Sequence, residues 1–295
     1  MSAGERKLLW AGLAFISPWI VGFLAFTAYP VVASLYYSFC DYDVFTQPIW
    51  VGLLNYRDMA TDDVFWQSLR NTLVFSAISL PLGLGAALAL ALLLNQPVRG
   101  RGLFRAIYYL PSLVPAIASA TVWLWILNTH NGLINQALMA LGFTHPPGWL
   151  DNPHWTKPGL ALMAVWGCGN TVVIFLAALQ GVPRALLEAA TIDGASAWRR
   201  LWHVTIPTIS PVIYFNLIIG VIGALQTFAT AFTMFTNGGP GRSALFFAVY
   251  LYENAFEARQ MGYACAMAWI LFLLTLGLTW LASRSSRGFV HYTGD

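Results

Sequence analysis

The residues able to do chemistry are few and crowded. In the stretch 188–207, EAATIDGASAWRRLWHVTIP, Glu188, Asp193, Arg199, Arg200 and His203 stand together between two hydrophobic runs. Hydrolytic chemistry in a membrane needs a nucleophile beside a base, or a metal motif such as HExxH. Ser196 has no histidine from a membrane run near it in sequence, so it reads as a helix cap. ATP chemistry needs GxxxxGK[ST], with the lysine on the phosphates, and the only lysines, Lys7 and Lys157, lie in no such loop. His130, His145 and His154 are spaced by 15 and 9, which fits no short metal motif, and Pro146, Pro147 and Pro153 mark an irregular loop. They are expected to be solvated, and no metal site and no catalytic residue is assigned. Glu253 and Glu257, four apart, share a helix face, as a solvated surface or a contact with an external protein rather than a catalytic pair.

The elements that must position these residues belong to a membrane. Of 295 residues, 58% are hydrophobic and only 9% charged, with a mean hydropathy of +0.64, a composition that suits lipid rather than water. The net charge of +3 is dispersed and excludes a nucleic-acid face. Cys40, Cys168 and Cys265 are too far apart for a CxxC site and odd in number, so they read as packing residues. About 20 apolar residues cross a bilayer as a helix. Six such runs occur, at about 8–28, 71–94, 103–127, 160–180, 207–233 and 261–283. The first runs on or breaks at Tyr29 and Pro30. The fold class expected is all-α, an integral membrane bundle of six helices in one domain, 1–295.

Lys and Arg concentrate on the cytoplasmic side of membrane proteins. With the N-terminus inside, that side holds Arg6, Lys7, Arg99, Arg101, Arg105, Arg184, Arg199, Arg200, Arg284 and Arg287, and the other side only Arg57, Arg70, Lys157, Arg242 and Arg259. Both termini are therefore expected in the cytoplasm, with external loops at 40–70, 128–159 and 234–260. No ionisable group stands deep in a span, where a proton-coupled transporter usually carries one.

Residues 183–207 fall on the cytoplasmic side. Pro183 suits a helix start, the run from 184 to 192 is rich in Ala, Leu and Glu, and Gly194 supplies the positive φ of a C-terminal cap. Ser196 then caps a second helix over 197–204, with Trp198, Leu201 and Trp202 on one face, and Pro207 opens the next span. Two readings fit: a helix pair lying on lipid, or one docking into a groove of a soluble partner.

The order of residues decides between them. Glu188, Ala189, Ala190, Asp193, Gly194, Ala195 and Pro207 closely resemble the EAA signature of binding-protein-dependent ABC importer permeases, with Val204 and Ile206 at positions where the family more often has Ile and Leu. The motif WVGLLNY at 50–56, Asn71-Thr72, TNGGP at 236–240 and YLYENAF at 250–256 look like further elements of that family, the last two of its carbohydrate branch, the maltose and glycerol-phosphate type. A Thr commonly found soon after Gly-Gly-Pro is absent, with Ser243 and Ala244 nearby.

The resemblance implies a type I importer transmembrane domain in a bacterial or archaeal cell (inner) membrane. It implies that 183–207 couples to a separate ATPase through Glu188, Ala189, Ala190, Asp193, Gly194 and Ala195. The implied partners are a second homologous permease, two ABC ATPase subunits that hold ATP and Mg, an extracytoplasmic sugar-binding protein and a carbohydrate; no cofactor is expected on this chain. Gly238, Gly239, Pro240 and Glu253 are the candidate contacts for the binding protein. In the fifth span Asn216, Gly220, Gly223, Thr227 and Thr230 share one face, which serves close helix packing or, with Gln226 and Asn170, lines a neutral path for sugar hydroxyls. The alternative is an ATP-independent facilitator or channel for a small neutral solute; a membrane scaffold that recruits a soluble partner would need no pathway.

Overall fold

Among the described residues there are fifteen α-helices, because prolines, glycines and π-helical turns interrupt the six apolar runs and shorter helices form between them. The computed structural model describes residues 3–97 and 99–286. Arg287, used above for the topology, lies outside the described residues. The chain divides into two units, one made of residues 1–62 and 251–272, the other of 63–250 and 273–295.

In the first unit α1 (Ala3–Phe23) passes through a π-helical turn, Leu24–Ala28, into α2 (Tyr29–Tyr37). Trp10–Tyr37 is thus one helical run of 28 residues, so the chain continues through Pro30. Proline leaves one carbonyl in the preceding turn without its donor and crowds it, and a π-helical turn placed just before it shifts the bonding register. The same device recurs where Leu201–Thr205 precedes Pro207.

A short hairpin, β1 (Cys40–Asp41) and β2 (Ile49–Trp50), pairs antiparallel with Cys40 opposite Trp50. It is held by α3 (Leu54–Thr61): the Asn55 amide donates to the carbonyls of Ser38 (2.9 Å) and Cys40 (3.0 Å), and the Tyr56 hydroxyl donates to Ser38 Oγ (2.8 Å). The Asn-Tyr of WVGLLNY is therefore a clamp on this unit's own backbone.

The second unit is built on α4 (Asp63–Asn95), whose 33 residues extend about 50 Å at 1.5 Å each, longer than the hydrocarbon core. Around it stand α5 (Arg101–Tyr109), α6 (Ala116–Ile126), α7 (Leu133–Ala140), α8 (Pro153–Trp166), α9 (Gly169–Gln180), α10 (Arg184–Ile192), α11 (Ala197–Arg200), α12 (Ile206–Leu225) and α13 (Ala229–Met234). Two further helices, α14 (Phe247–Tyr252) and α15 (Met261–Ser286), are shared between the units by sequence.

Two apolar cores lie at different levels of α4. Phe75 packs with Trp123, Leu127, Leu160, Met234 and Phe246, while Ala87, Ala91 and Leu94 pack with Phe175, Leu176, Leu179 and Ile209. Lipid is as apolar as leucine, so this packing gains mainly close contact rather than release from water.

Among the described residues four helices are long and apolar enough to cross a membrane, or up to six if each of two bent pairs is one span. The run expected as a single helix over 103–127 is bent by 101° between Arg101–Leu113 and Ala116–Ile126. The cause is local. Val114 precedes Pro115 and adopts ψ 127, because a residue before proline is pushed out of the α region. The second pair, Pro153–Trp166 and Gly169–Gln180, bends by 49° at Gly167 and Cys168. Where α9 passes α5, a Cβ on Gly169 would lie 2.7 Å from the Tyr108 carbonyl oxygen, so glycine is what permits that approach.

Candidate functional site

Both bends open onto one cavity of about 520 Å³, set between the two cores midway along α4. Its wall takes Ser79 and Gly83 from α4, Ser112 from the first bend, Ser119 from α6, Cys168 and Thr171 from the second bend, and Asn216, Gly220, Gly223, Thr227 and Thr230 from α12 and beyond. Hydroxyl and amide groups are interleaved with Phe75, Leu160, Met163 and Trp166, and every lining residue is uncharged. The Asn216 amide donates back to the Val212 carbonyl (2.9 Å), and Ser112 Oγ donates to that of Tyr109 (2.7 Å). Such a wall offers hydrogen bonds and apolar faces to a neutral, hydroxylated solute.

Of the polar residues named from sequence, Asn216, Thr227 and Thr230 meet on this wall. Asn170 and Gln226 are exposed and off it. The bend at Cys168 restarts the helix so that Thr171 takes the inward position, and Gln226 is the residue at which α12 ends. The small-residue face of α12 packs closely at one glycine and borders the cavity at the other. A Cβ on Gly220 would stand 2.7 Å from Leu80 Cδ2, a packing contact, whereas one on Gly223 would meet nothing within 4 Å.

The charged segment lies at the Asn95 end of α4, where Val182 and Leu187 pack against the core that holds Leu94. Helix α10 ends in a Schellman motif: Ala195 N–H donates to the Ala190 carbonyl (2.9 Å), Gly194 N–H to that of Thr191 (3.0 Å), and Gly194 has φ +76°. Ser196 Oγ accepts from Arg199 N–H and caps α11. Arg200 donates to Thr191 Oγ1 (2.5 Å), tying the two helices together. Helix α11 then runs through Leu201–Thr205 into α12, within one helical stretch Ala197–Met234. The span expected to open at Pro207 thus extends the segment without a joint. Glu188, Ala189, Asp193 and Gly194 are exposed, Ala190 and Ala195 half-buried. Beside them Ile192 (86%), Trp198 (68%) and Trp202 (49%) are exposed, with the two tryptophan rings edge-on at 5.6 Å.

The loop over 236–243 lies at the other end of α4. Gly238 is buried, while Gly239 and Pro240 are half-buried. Gln67 donates to the Gly241 carbonyl (2.9 Å), Asn71 to those of Arg242 (2.8 Å) and Leu245 (3.1 Å), and Phe247 N–H to Thr72 Oγ1 (2.8 Å). Asn71 and Thr72 therefore build this loop. Glu253, half-buried, belongs to a π-helical turn, Glu253–Glu257, of the first unit. His130, His145 and His154 are exposed, and among the described residues no three His, Cys, Asp or Glu side chains are grouped to hold a metal.

Two residues that sequence reasoning passed over stand out. Cys168 lies on the cavity wall, and only its place at a helix break could have shown this. Arg105, counted only for topology, has buried Nε and Nη2 atoms that lack a hydrogen-bond partner in the structure, and the residue lines a cavity of about 230 Å³ with Tyr109 and Gln180.

Helices broken around hydrogen-bonding groups are how membrane transporters present polar surface to a solute while lipid-facing backbone stays paired. The fold is accordingly the transmembrane part of a solute transporter. The chain belongs to the family of binding-protein-dependent transport system inner membrane components, whose model matches residues 67–290. It is 41% identical to a probable ABC transporter permease protein, YesP, of Bacillus subtilis, over 99% of this chain and 95% of that one. It is 33% identical to the lactose transport system permease protein LacF of Rhizobium radiobacter, over 94% of each. A crystal structure of a bacterial ABC transporter involved in the import of the acidic polysaccharide alginate superposes with a TM-score of 0.85 at 25% identity, over 98% of this chain and 99% of that one. The protein is thus a multi-pass inner-membrane permease subunit of an ATP-driven, binding-protein-dependent importer, and the facilitator and scaffold readings are set aside.

Proposed function

We propose that this subunit forms half of the translocation pathway for a saccharide and has no catalytic activity of its own. The observation that carries the reading is the uncharged, hydroxyl-rich cavity at the two helix breaks, and relatives named for lactose and for arabinooligosaccharides support it. A second permease supplies the other half. Both termini face the cytoplasm, and residues 183–207 meet one of two ATPase subunits, which hold ATP and Mg.

Glu188, Ala189, Ala190, Asp193, Gly194 and Ala195 form the coupling surface, with Ile192, Trp198 and Trp202 as its apolar anchors. Because α11 continues into α12, a push on the segment is carried along one helix toward Asn216 and Thr227. On the external side a sugar-loaded binding protein rests on the loop that holds Gly238, Gly239 and Pro240, and Glu253 contributes a further contact. Asn216, Thr227 and Thr230 meet the sugar; Asn170 and Gln226 flank the path.

The test is to purify the tagged chain in mild detergent and identify its companions by mass spectrometry, with and without changes at Glu188 and Gly194. Recovery of an ABC ATPase and a second permease, with the ATPase lost in the variants, is the expected result. Recovery of the chain alone, under conditions that preserve comparable complexes, would refute the coupling role.

A further inference from the structure

Arg70, Lys157 and Arg242 stand on α4, α8 and the loop over 236–243, three segments that bond to one another, and nothing in the coupling role needs these cations. Arg242 accepts at its carbonyl from Asn71, the chain neighbour of Arg70. Ser243 Oγ donates to Thr156 Oγ1 (3.0 Å), the chain neighbour of Lys157, and that bond is buried. Arg70 and Arg242 are exposed, whereas Lys157 is half-buried.

Burial first, and the cation Arg70 second, disfavour the charged form of Lys157, and no carboxylate offsets them. The four described acidic side chains of this unit are not among the charges acting on Lys157. Asp63 opens α4 two turns before Arg70, Asp151 accepts from Thr129, and Glu188 and Asp193 belong to the coupling segment. A partly desolvated ammonium facing another cation is costly unless an anion comes to it.

Its position says where that anion would be. Leu160 and Ala164, three and seven residues after Lys157 on α8, line the cavity, so Lys157 stands on the same helix face one turn outside it. We propose that Arg70, Lys157 and Arg242 form an anion-selecting mouth above the cavity, and that the transported solute is an acidic saccharide whose carboxylate binds there while its hydroxyls meet the uncharged wall. This rests on the saccharide reading above and adds its charge. Partial burial of Lys157 favours a small solute over the flat acidic surface of a docking protein.

The test uses the complete transporter with its own binding protein in proteoliposomes. It is offered a mixed pool of neutral and uronate-containing disaccharides, and the contents of the vesicles are read by mass spectrometry. Uronate members should accumulate, and K157Q and R70Q should each cut that uptake about tenfold, the size of one lost charge-assisted contact, while ATP hydrolysis stimulated by the loaded binding protein persists. Uptake of neutral members alone overturns the inference and leaves the saccharide reading standing. Uptake of neither class overturns both. Loss of the stimulated ATP hydrolysis in the variants makes these residues a docking surface for the binding protein and overturns the substrate role.

Discussion

Asn71 and Arg242, 171 residues apart in the chain, are joined by a 2.8 Å hydrogen bond from the Asn71 amide to the Arg242 carbonyl. The same amide reaches the Leu245 carbonyl at 3.1 Å. One side chain thereby holds both sides of a turn in which Arg242 itself has φ +56°, a conformation that costs a non-glycine residue about 1–2 kcal/mol.

Asn71→Leu is expected to destabilise the protein by about 2–3 kcal/mol, because two partly buried carbonyls lose their donor. Thermal unfolding in detergent, followed by tryptophan fluorescence, measures it. Asn71→Asp should be at least as damaging, since a carboxylate presents lone pairs to the same carbonyls. An unchanged midpoint in both would show that the loop holds itself.

At Gly194 the expected order is set by backbone angle rather than by space, since a Cβ there meets nothing within 4 Å. Gly194→Asn should be tolerated because asparagine visits the left-handed region. Gly194→Ala should weaken the turn by about 1 kcal/mol, and Gly194→Val should abolish transport while the chain still inserts. Uptake and membrane fractionation, measured side by side, check this; wild-type uptake by the valine variant would sink it.

Cys168 lines the cavity while Cys40 and Cys265 are buried. A small thiol reagent should therefore modify Cys168 before the other two, and transported solute should slow the modification. Peptide mass mapping reads the site. Cys168→Ser should keep transport and remove the early label; first modification at Cys40 or Cys265 would contradict the cavity as described.

Gly220 and Gly223 should part company when replaced by alanine. Gly223→Ala has room and is expected to stabilise α12 by about 0.5–1 kcal/mol through helix propensity, at some cost in cavity volume. Gly220→Ala presses on Leu80 and should offset that gain or reverse it. Equal shifts in the two unfolding midpoints would mean that α12 does not approach α4 at Gly220.

What the amino-acid order determined by itself is whatever a few neighbouring residues can enforce. The bounds of α10, the positive φ of Gly194 and the Ser196 cap were all legible, because each is satisfied by hydrogen bonds within five residues. The apolar runs were legible too, since lipid demands length and composition. Tertiary structure alone decided the rest. Pro207 looked like a helix boundary and Pro30 left a break open, yet π-helical turns carry the helix through both, an outcome that depends on whether the surroundings support a continuous rod. The bends at Val114 and Cys168 became the walls of one cavity only because α4, α8 and α12 bring them to the same level. Arg70, Lys157 and Arg242 had seemed unrelated members of the sparse side of a charge count. Their segments meet because Asn71 and Thr156, beside two of them, bond to the turn that carries the third, and contacts across more than 80 residues leave no mark in local spacing.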